Sequence, residues 1–341
     1  MIGPLVEQVL AGQRRAVARA ISLVEDNGDE ARAALAALHP HTGQAHIIGV
    51  TGPPGSGKST LVNALALHFR QATAGPQPTV AIIAVDPTSP FSGGAILGDR
   101  IRMRDLAGDR GIFIRSMASR GNLGGLAWAT ADAVKVLDAA GYDLIIVETV
   151  GAGQAEVDIA RTAHTTVVVE VPGLGDDIQA IKAGILEIAD VFAVNKADLE
   201  GADHAVMALE MMLNLNSGGP HAMMHHGQLV TVAAAGASAG GEPGQGPAWR
   251  PPIHKTVAMR REGIAELAGS IRDHRGHLEQ TGELARRERE RAAAELEMIV
   301  QHESWRQVLA RTDPAHLSAL IDRIVRRELD PYAASRRLLK P

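Results

Sequence analysis

The stretch "GVTGPPGSGKSTLVNAL" (49–65) constrains this chain more than any other. It holds a complete G-x-x-x-x-G-K-S loop from Gly52 to Ser59, preceded by the β-branched run 46–51 and followed by a helical pattern over 59–71. Its glycines let the backbone curl so that its N–H groups face a phosphate, and the helix N-terminus beyond adds its positive dipole end. In such a loop the lysine, here Lys58, bridges the β- and γ-phosphates, and the hydroxyl of Ser59 ligates Mg²⁺. The candidate nucleotide-binding residues are therefore Gly52, Pro53, Pro54, Gly55, Ser56, Gly57, Lys58, Ser59 and Thr60.

The sequence around this loop repeats its alternation. Short apolar runs ("HIIGVTG", "TVAIIAVD", "GIFIRS", "YDLIIVET", "TTVVVEV", "ADVFAVN") are separated by helical stretches at 59–71, 122–140, 155–163, 177–187 and 203–214. Alternating strand and helix predicts βαβ units, hence an α/β fold with a mostly parallel central sheet and helices on both faces. Residues 1–42 read as an N-terminal helical segment of two amphipathic helices, and 43–280 as the nucleotide-binding domain. Within that domain, 216–248 is rich in Gly, Ala, Pro and His and reads as a flexible surface insertion. "PPIHKTVAM" resumes a strand and "GIAELAGSIRDHRGHL" a helix. From 281 to 341 the chain is charged and helical, with Leu296, Ile299, Val300 and Val308 on a possible apolar stripe. That stripe either packs on its own domain or serves as a dimerisation arm.

A second motif selects the base. "VFAVNKADL" (191–199) is an apolar strand ending in Asn195-Lys196-Ala197-Asp198. A carboxylate at Asp198 can accept from guanine N1–H and N2–H₂, a donor pair that adenine lacks, so adenine would leave a buried carboxylate unsatisfied. Asn195 is placed to brace the loop, and the Lys196 stem to cover the purine face. A later strand end, "TVA" (256–258), is positioned to offer a backbone N–H to guanine O6, which nominates Val257 and Ala258.

Glu148 ends the run "IIVETVG" between these two motifs, where the acid on the Mg²⁺ side belongs, and Gly151 follows three residues later to sense the γ-phosphate. Ala152, not Gln, comes next, so slow intrinsic hydrolysis is expected. In "AVDPTSPFSGGAILGDRIRM" (84–103), Asp86 ends a strand and Asp99 follows a Gly-rich loop able to act as a switch. Each has a plainer reading as a cap or turn residue, and Arg100, Arg102 and Arg104 read more simply as a solvated helix face than as a charge-stabilising finger. Lys58, Asp86, Asp99, Glu148 and Gly151 are the candidate catalytic residues; Ser59, Asp86, Asp99 and Glu148 are the candidate Mg²⁺ ligands.

Composition narrows the rest. The 341 residues contain no cysteine, which excludes disulfides and thiol chemistry and suits a cytoplasmic location. A net charge of -5 and 3% aromatics argue against a nucleic-acid partner. No apolar run approaches the ~20 residues of a membrane span, and the N-terminus has no signal-like apolar core.

Taken together, "GPPGSGKST", "AVDPTSPFSGGAILGDRIRM", "SRGNLGGL", "DLIIVETVGAGQAEVDIA", "PGLGDDIQAIKAGI", "NKAD" and "WRPPIHKTVA" resemble the MeaB/ArgK-type P-loop GTPases over about 46–275. The resemblance implies that Glu148 is the acid this group uses where other GTPases use Asp. It implies a GTPase with Mg²⁺, converting GTP to GDP, that acts as a chaperone for an adenosylcobalamin-dependent methylmalonyl-CoA mutase, and a homodimer built through C-terminal helices. It also implies an additional switch at 172–184, with Lys182 a candidate contact to nucleotide; by itself Lys182 reads equally well as an exposed helix lysine. The sequence departs from the simplest family pattern at "HAMMHHG", where His221, His225 and His226 could meet a metal or cobalamin but read more simply as part of a linker. Rival readings are a metallochaperone GTPase for another metalloenzyme such as a nickel enzyme, a nucleotide-dependent kinase, and a GTP-gated binding module with negligible turnover.

Overall fold

The computed structural model describes residues 2–71, 76–87, 106, 108–119, 125–149, 162–173, 188–216, 221–225, 228–232 and 249–339. The chain divides into two compact units, Met1–Thr281 and Gly282–Pro341.

In the first unit, three helices precede the sheet: α1 (Gly3–Leu10), α2 (Arg14–Glu25) and α3 (Asp29–Leu38). The apolar spacing predicts two, because Val6 to Leu23 keeps a helical rhythm. The chain breaks that rhythm at Gly12, whose φ of 66° is left-handed. Gly12 N donates to Val9 O and Gln13 N to Gln8 O, the bond pair that closes a helix onto a C-terminal glycine.

Seven strands then build one sheet: β1 (His46–Thr51), β2 (Val80–Pro87), β3 (Ile112–Ser119), β4 (Leu144–Glu148), β5 (Thr165–Glu170), β6 (Val191–Asn195) and, after a hairpin of β7 (His221–His225) and β8 (Gln228–Val232), β9 (Ile253–Thr256). The order is β3-β2-β4-β1-β5-β6-β9, and every neighbouring pair is parallel. The expected mostly parallel sheet is parallel throughout. Side chains alternate between two cores, as the pleat requires. Ala81, Ile83, Val85, Ile145 and Val147 pack with α1–α3 and α5 (Gly125–Ala139), whereas Ile48, Val50, Ile82, Ile146 and Val169 pack with α4 (Lys58–Arg70) and α7 (Ile264–Gln280). A third cluster places Phe192 and Val194 under α6 (Ala202–Asn216).

The amino ends of the strands carry a buried polar chain. His46 Nε2 lies 2.9 Å from Thr165 Oγ1, which lies 3.0 Å from His274 Nδ1. His274 Nε2 is 3.2 Å from Asp190 Oδ1, and Asp190 Oδ2 accepts from Thr166 N at 2.8 Å. All five residues are buried.

The segment read as a flexible insertion contributes the antiparallel β7–β8 pair, whose register matches His221 with Val232 and His225 with Gln228. His226 and the rest of 217–248 lie outside the described residues, as do 155–161 of the expected helix at 155–163 and all of the one at 177–187.

The second unit consists of α8 (Glu283–Arg311), α9 (Pro314–Val325) and α10 (Pro331–Leu339). Ion pairs at i,i+3 and i,i+4 run along α8, among them Arg286 with Glu283 and Glu290. Val308 is buried, while Leu296, Ile299 and Val300 of the same expected stripe are exposed, together with Trp305, Val325 and Tyr332. Among the described residues, no helix is long and apolar enough to cross a membrane.

Candidate functional site

β1 sits at the centre of the sheet, where successive strands begin to be added on opposite sides, and α/β sheets bind ligands at the carboxyl ends of the strands at such a point. The loop after β1 runs from Gly52 to Gly57 and enters α4 at Lys58. Two of its glycines are required by contact. A Cβ on Gly52 would lie 2.1 Å from Val169 O of β5, and one on Gly57 would lie 2.5 Å from Asn195 Nδ2. Both also have left-handed φ, 138° and 87°.

Lys58 is buried and folds back over this loop, donating from Nζ to Gly52 O at 2.8 Å and Pro53 O at 3.0 Å. Ser59, one residue further into α4, donates from Oγ to Glu148 Oε1 at 2.6 Å. Glu148 is the last residue of β4, which is hydrogen-bonded directly to β1. Beyond it, Thr149 N donates to Val50 O, and Thr149 Oγ1 donates to Thr51 Oγ1 at 3.0 Å. This hydroxyl pair staples the end of β4 to the end of β1, directly beyond Glu148. The sequence reading missed it; its signal is the pair of threonines that close two adjacent apolar strands.

Asp86 lies at the carboxyl end of β2, two residues past Ala84, the register partner of Glu148. Asp99, Gly151 and Lys182, with Arg100, Arg102 and Arg104, lie outside the described residues.

On the other side of β1, Asn195 joins three segments. Its Nδ2 donates to Ser56 O at 2.8 Å, and its Oδ1 accepts from Thr256 Oγ1 and Ala258 N, both at 3.2 Å. It therefore ties the phosphate loop, β6 and the turn after β9 together. Lys196, at φ 56°, donates to Gly55 O at 2.8 Å, which lays its stem across the loop. Asp198 departs from the expected buried carboxylate: its side chain is 39% exposed and pairs with Arg260 at 3.7 Å. The turn that carries it, Lys196 to Leu199, lies beyond the end of β6 and outside the core. Val257 and Ala258 are buried, and their N–H groups serve the protein itself, Val257 N bonding Glu262 O and Ala258 N bonding Asn195 Oδ1.

Among the described residues no group of three or more His, Asp or Glu side chains is gathered to hold a metal. The neighbouring Ser59 hydroxyl and Glu148 carboxylate nonetheless form the hard oxygen pair that Mg²⁺ favours beside a phosphate.

Residues 17–313 match the model of the family described as Methylmalonyl Co-A mutase-associated GTPase MeaB. A Pyrococcus abyssi protein whose name carries a provisional GTPase assignment is 46% identical over 340 residues, covering 100% of this chain and 96% of its own length. GTPase ArgK of Escherichia coli is 33% identical over 313 residues, 90% of this chain and 86% of its own. The crystal structure of a LAO/AO transport system kinase is similar with a TM-score of 0.67 at 25% identity, covering 99% of this chain and 96% of that one.

Proposed function

Because the chain belongs to the MeaB family of GTPases and hydrolyses GTP, we propose that it is a Mg²⁺-dependent chaperone of an adenosylcobalamin-dependent mutase of the methylmalonyl-CoA type. In this reading GTP binding and hydrolysis are coupled to loading and protecting the mutase cofactor. The observation that carries the chemistry is the 2.6 Å bond between Ser59 and Glu148 at the mouth of the phosphate loop. The family's mutase-associated description supports the partner.

The loop amides and the N-terminus of α4 receive the β-phosphate, and Lys58 exchanges two backbone carbonyls for phosphate oxygens. Ser59 and Glu148, with Asp86 from β2 and Asp99, would hold Mg²⁺, which would supply charge neutralisation at the transferring phosphoryl group. Gly151 senses the γ-phosphate, and Lys182 belongs to the additional switch. Water attacks the γ-phosphorus in line, and Ala152 rather than a glutamine directly follows Gly151, with Gln154 three residues on, so the mutase is expected to raise the rate. Asp198 reads the base. The exposed Leu296, Ile299, Val300 and Trp305 of α8 support a homodimer through the C-terminal helices. A cysteine-free chain fits the cytoplasm.

The test is GTP turnover by the full chain, alone and with an adenosylcobalamin-dependent methylmalonyl-CoA mutase, with sizing chromatography alongside. Stimulated turnover and nucleotide-dependent co-elution are expected. Neither effect would leave the hydrolase intact but return the client to a different metalloenzyme.

A further inference from the structure

The turn after β9 carries a cation that neither nucleotide motif accounts for. Arg260 N donates to Val257 O at 2.9 Å, Arg261 takes φ 59°, and Val257 and Glu262 bridge antiparallel. This tight turn points the Arg260 guanidinium between two carboxylates. Its Nε is 2.9 Å from Glu262 Oε1, and its Nη1 is 3.7 Å from Asp198 Oδ2. Glu262 fixes the head of the side chain. The longer second distance leaves the guanidinium beside Asp198 rather than bonded to it, because a hydrogen bond of this type closes to about 2.7–2.9 Å.

Guanine presents two donors, N1–H and N2–H₂, next to one acceptor, O6. The complement of that edge is a carboxylate with a donor at its side, and arginine is the side chain that most often donates to guanine O6. The backbone donors nominated for O6 are engaged elsewhere: Val257 N holds Glu262 O, and Ala258 N holds Asn195 Oδ1. We infer that Arg260 donates to guanine O6 while Asp198 accepts from N1–H and N2–H₂, so that the base is read by a side-chain pair. This rests on the reading of Asp198 as the guanine-binding carboxylate and adds a specificity-determining residue to that site.

The test titrates GDP, inosine diphosphate and 6-thioguanosine diphosphate into the full chain by calorimetry. Arg260→Ala is expected to weaken GDP about tenfold, the lower part of the range for an arginine–guanine contact because the site is half open. Inosine diphosphate, which keeps O6, should lose the same factor. The wild-type preference for GDP over the 6-thio analogue, whose sulfur is a poor acceptor, should shrink towards unity in Arg260→Ala and be partly kept in Arg260→Lys. Unchanged GDP affinity with the thio preference intact would assign O6 to the backbone and overturn the inference. Tighter GDP would also overturn it, by making Arg260 a competitor of the base for Asp198. Asp198→Asn separates the two levels. If it weakens GDP while Arg260→Ala does not, only the arginine assignment fails; if it leaves GDP untouched, the guanine site itself is misplaced. Arg260 is exposed, and a thermal melt of each variant checks that it folds.

Discussion

The two ends of the sheet use similar polar residues in opposite ways. At the amino end, His46, Thr165, His274 and Asp190 are buried and bonded to one another. The threonine has one proton to give, so it donates to one of its two histidine neighbours and accepts from the other. His274 Nε2 faces the Asp190 carboxylate at an ion-pair distance of 3.2 Å. At the carboxyl end, Lys58 reaches the carbonyls of Gly52 and Pro53, Ser59 the Glu148 carboxylate, and Asp198 stands beside a cation 3.7 Å away. In the proposed function those partners give way to phosphate, metal and base. On that reading the amino end is structural and the carboxyl end is the part that a ligand completes.

The sharpest way to break this contrast is to strike each end and read both stability and turnover. Lys58→Ala should lower kcat/KM for GTP by at least about a hundredfold, the scale for losing one preorganised charge at a phosphoryl centre. Its urea midpoint should stay close to wild type, since the lysine's bonds to Gly52 O and Pro53 O stay within the loop itself. Retained turnover would show that the loop does not hold the phosphates.

Asp190→Ala should do the reverse. It strips His274, Thr166 N and the buried chain of their common acceptor, and breaking such a buried network costs about 3 kcal/mol. The KM for GTP should stay within about twofold if the ends are independent. Asp190→Asn, which keeps an acceptor oxygen, should lose less. A GTP defect in either variant, at unchanged stability, would mean that the two ends are coupled through β5 or β6.

What the sequence made legible follows the same division. The phosphate loop, Glu148 and the Asn195–Asp198 motif are local strings with fixed spacing, and the structure sets Ser59 against Glu148 and Asn195 against the loop. The parallel sheet was legible because each strand is an apolar run bounded by a helical pattern. The break at Gly12 was not, since one glycine in a helical rhythm reads as tolerated until its φ is known. The amino-end chain was invisible, because His46, Thr165, Asp190 and His274 are far apart in sequence and meet only through strand order. Asp198 reads as buried because it follows an apolar strand, yet the turn has already left the core.

The amino end also has a pH signature of its own. Burial first, and then the Arg275 charge, lower the His46 pKa from 6.5 to about 3. The unfolded chain therefore takes up a proton between pH 6.5 and 3 that the folded chain refuses. Stability from this group is complete above pH 6.5 and falls as the pH drops through that window, by at most about 1.4 kcal/mol per pH unit. Urea midpoints between pH 7 and 4.5 should show this loss. His46→Gln, which keeps a donor for Thr165 without titrating, should reduce the slope by about one proton; an unchanged slope would place the acid sensitivity elsewhere.

The smallest expected effect tests whether the carboxyl end has a rigid part of its own. Thr149→Val keeps the shape of the side chain but removes the 3.0 Å bond to Thr51. Both hydroxyls are buried, so Thr51 is left without that partner, at a cost of about 1 kcal/mol. If the staple only adds stability, the urea midpoint falls and the Mg²⁺ dependence of turnover stays put. If it positions Glu148 against Ser59, the Mg²⁺ concentration for half-maximal turnover rises several-fold while KM for GTP at saturating Mg²⁺ hardly moves. The geometry favours the second outcome, because Glu148 is the residue directly before the staple and the strand ends just there. Restoring both partners as valine, in Thr51→Val with Thr149→Val, should recover much of the stability but not the Mg²⁺ response, since two apolar groups can pack together without fixing the strand end as a directional bond does.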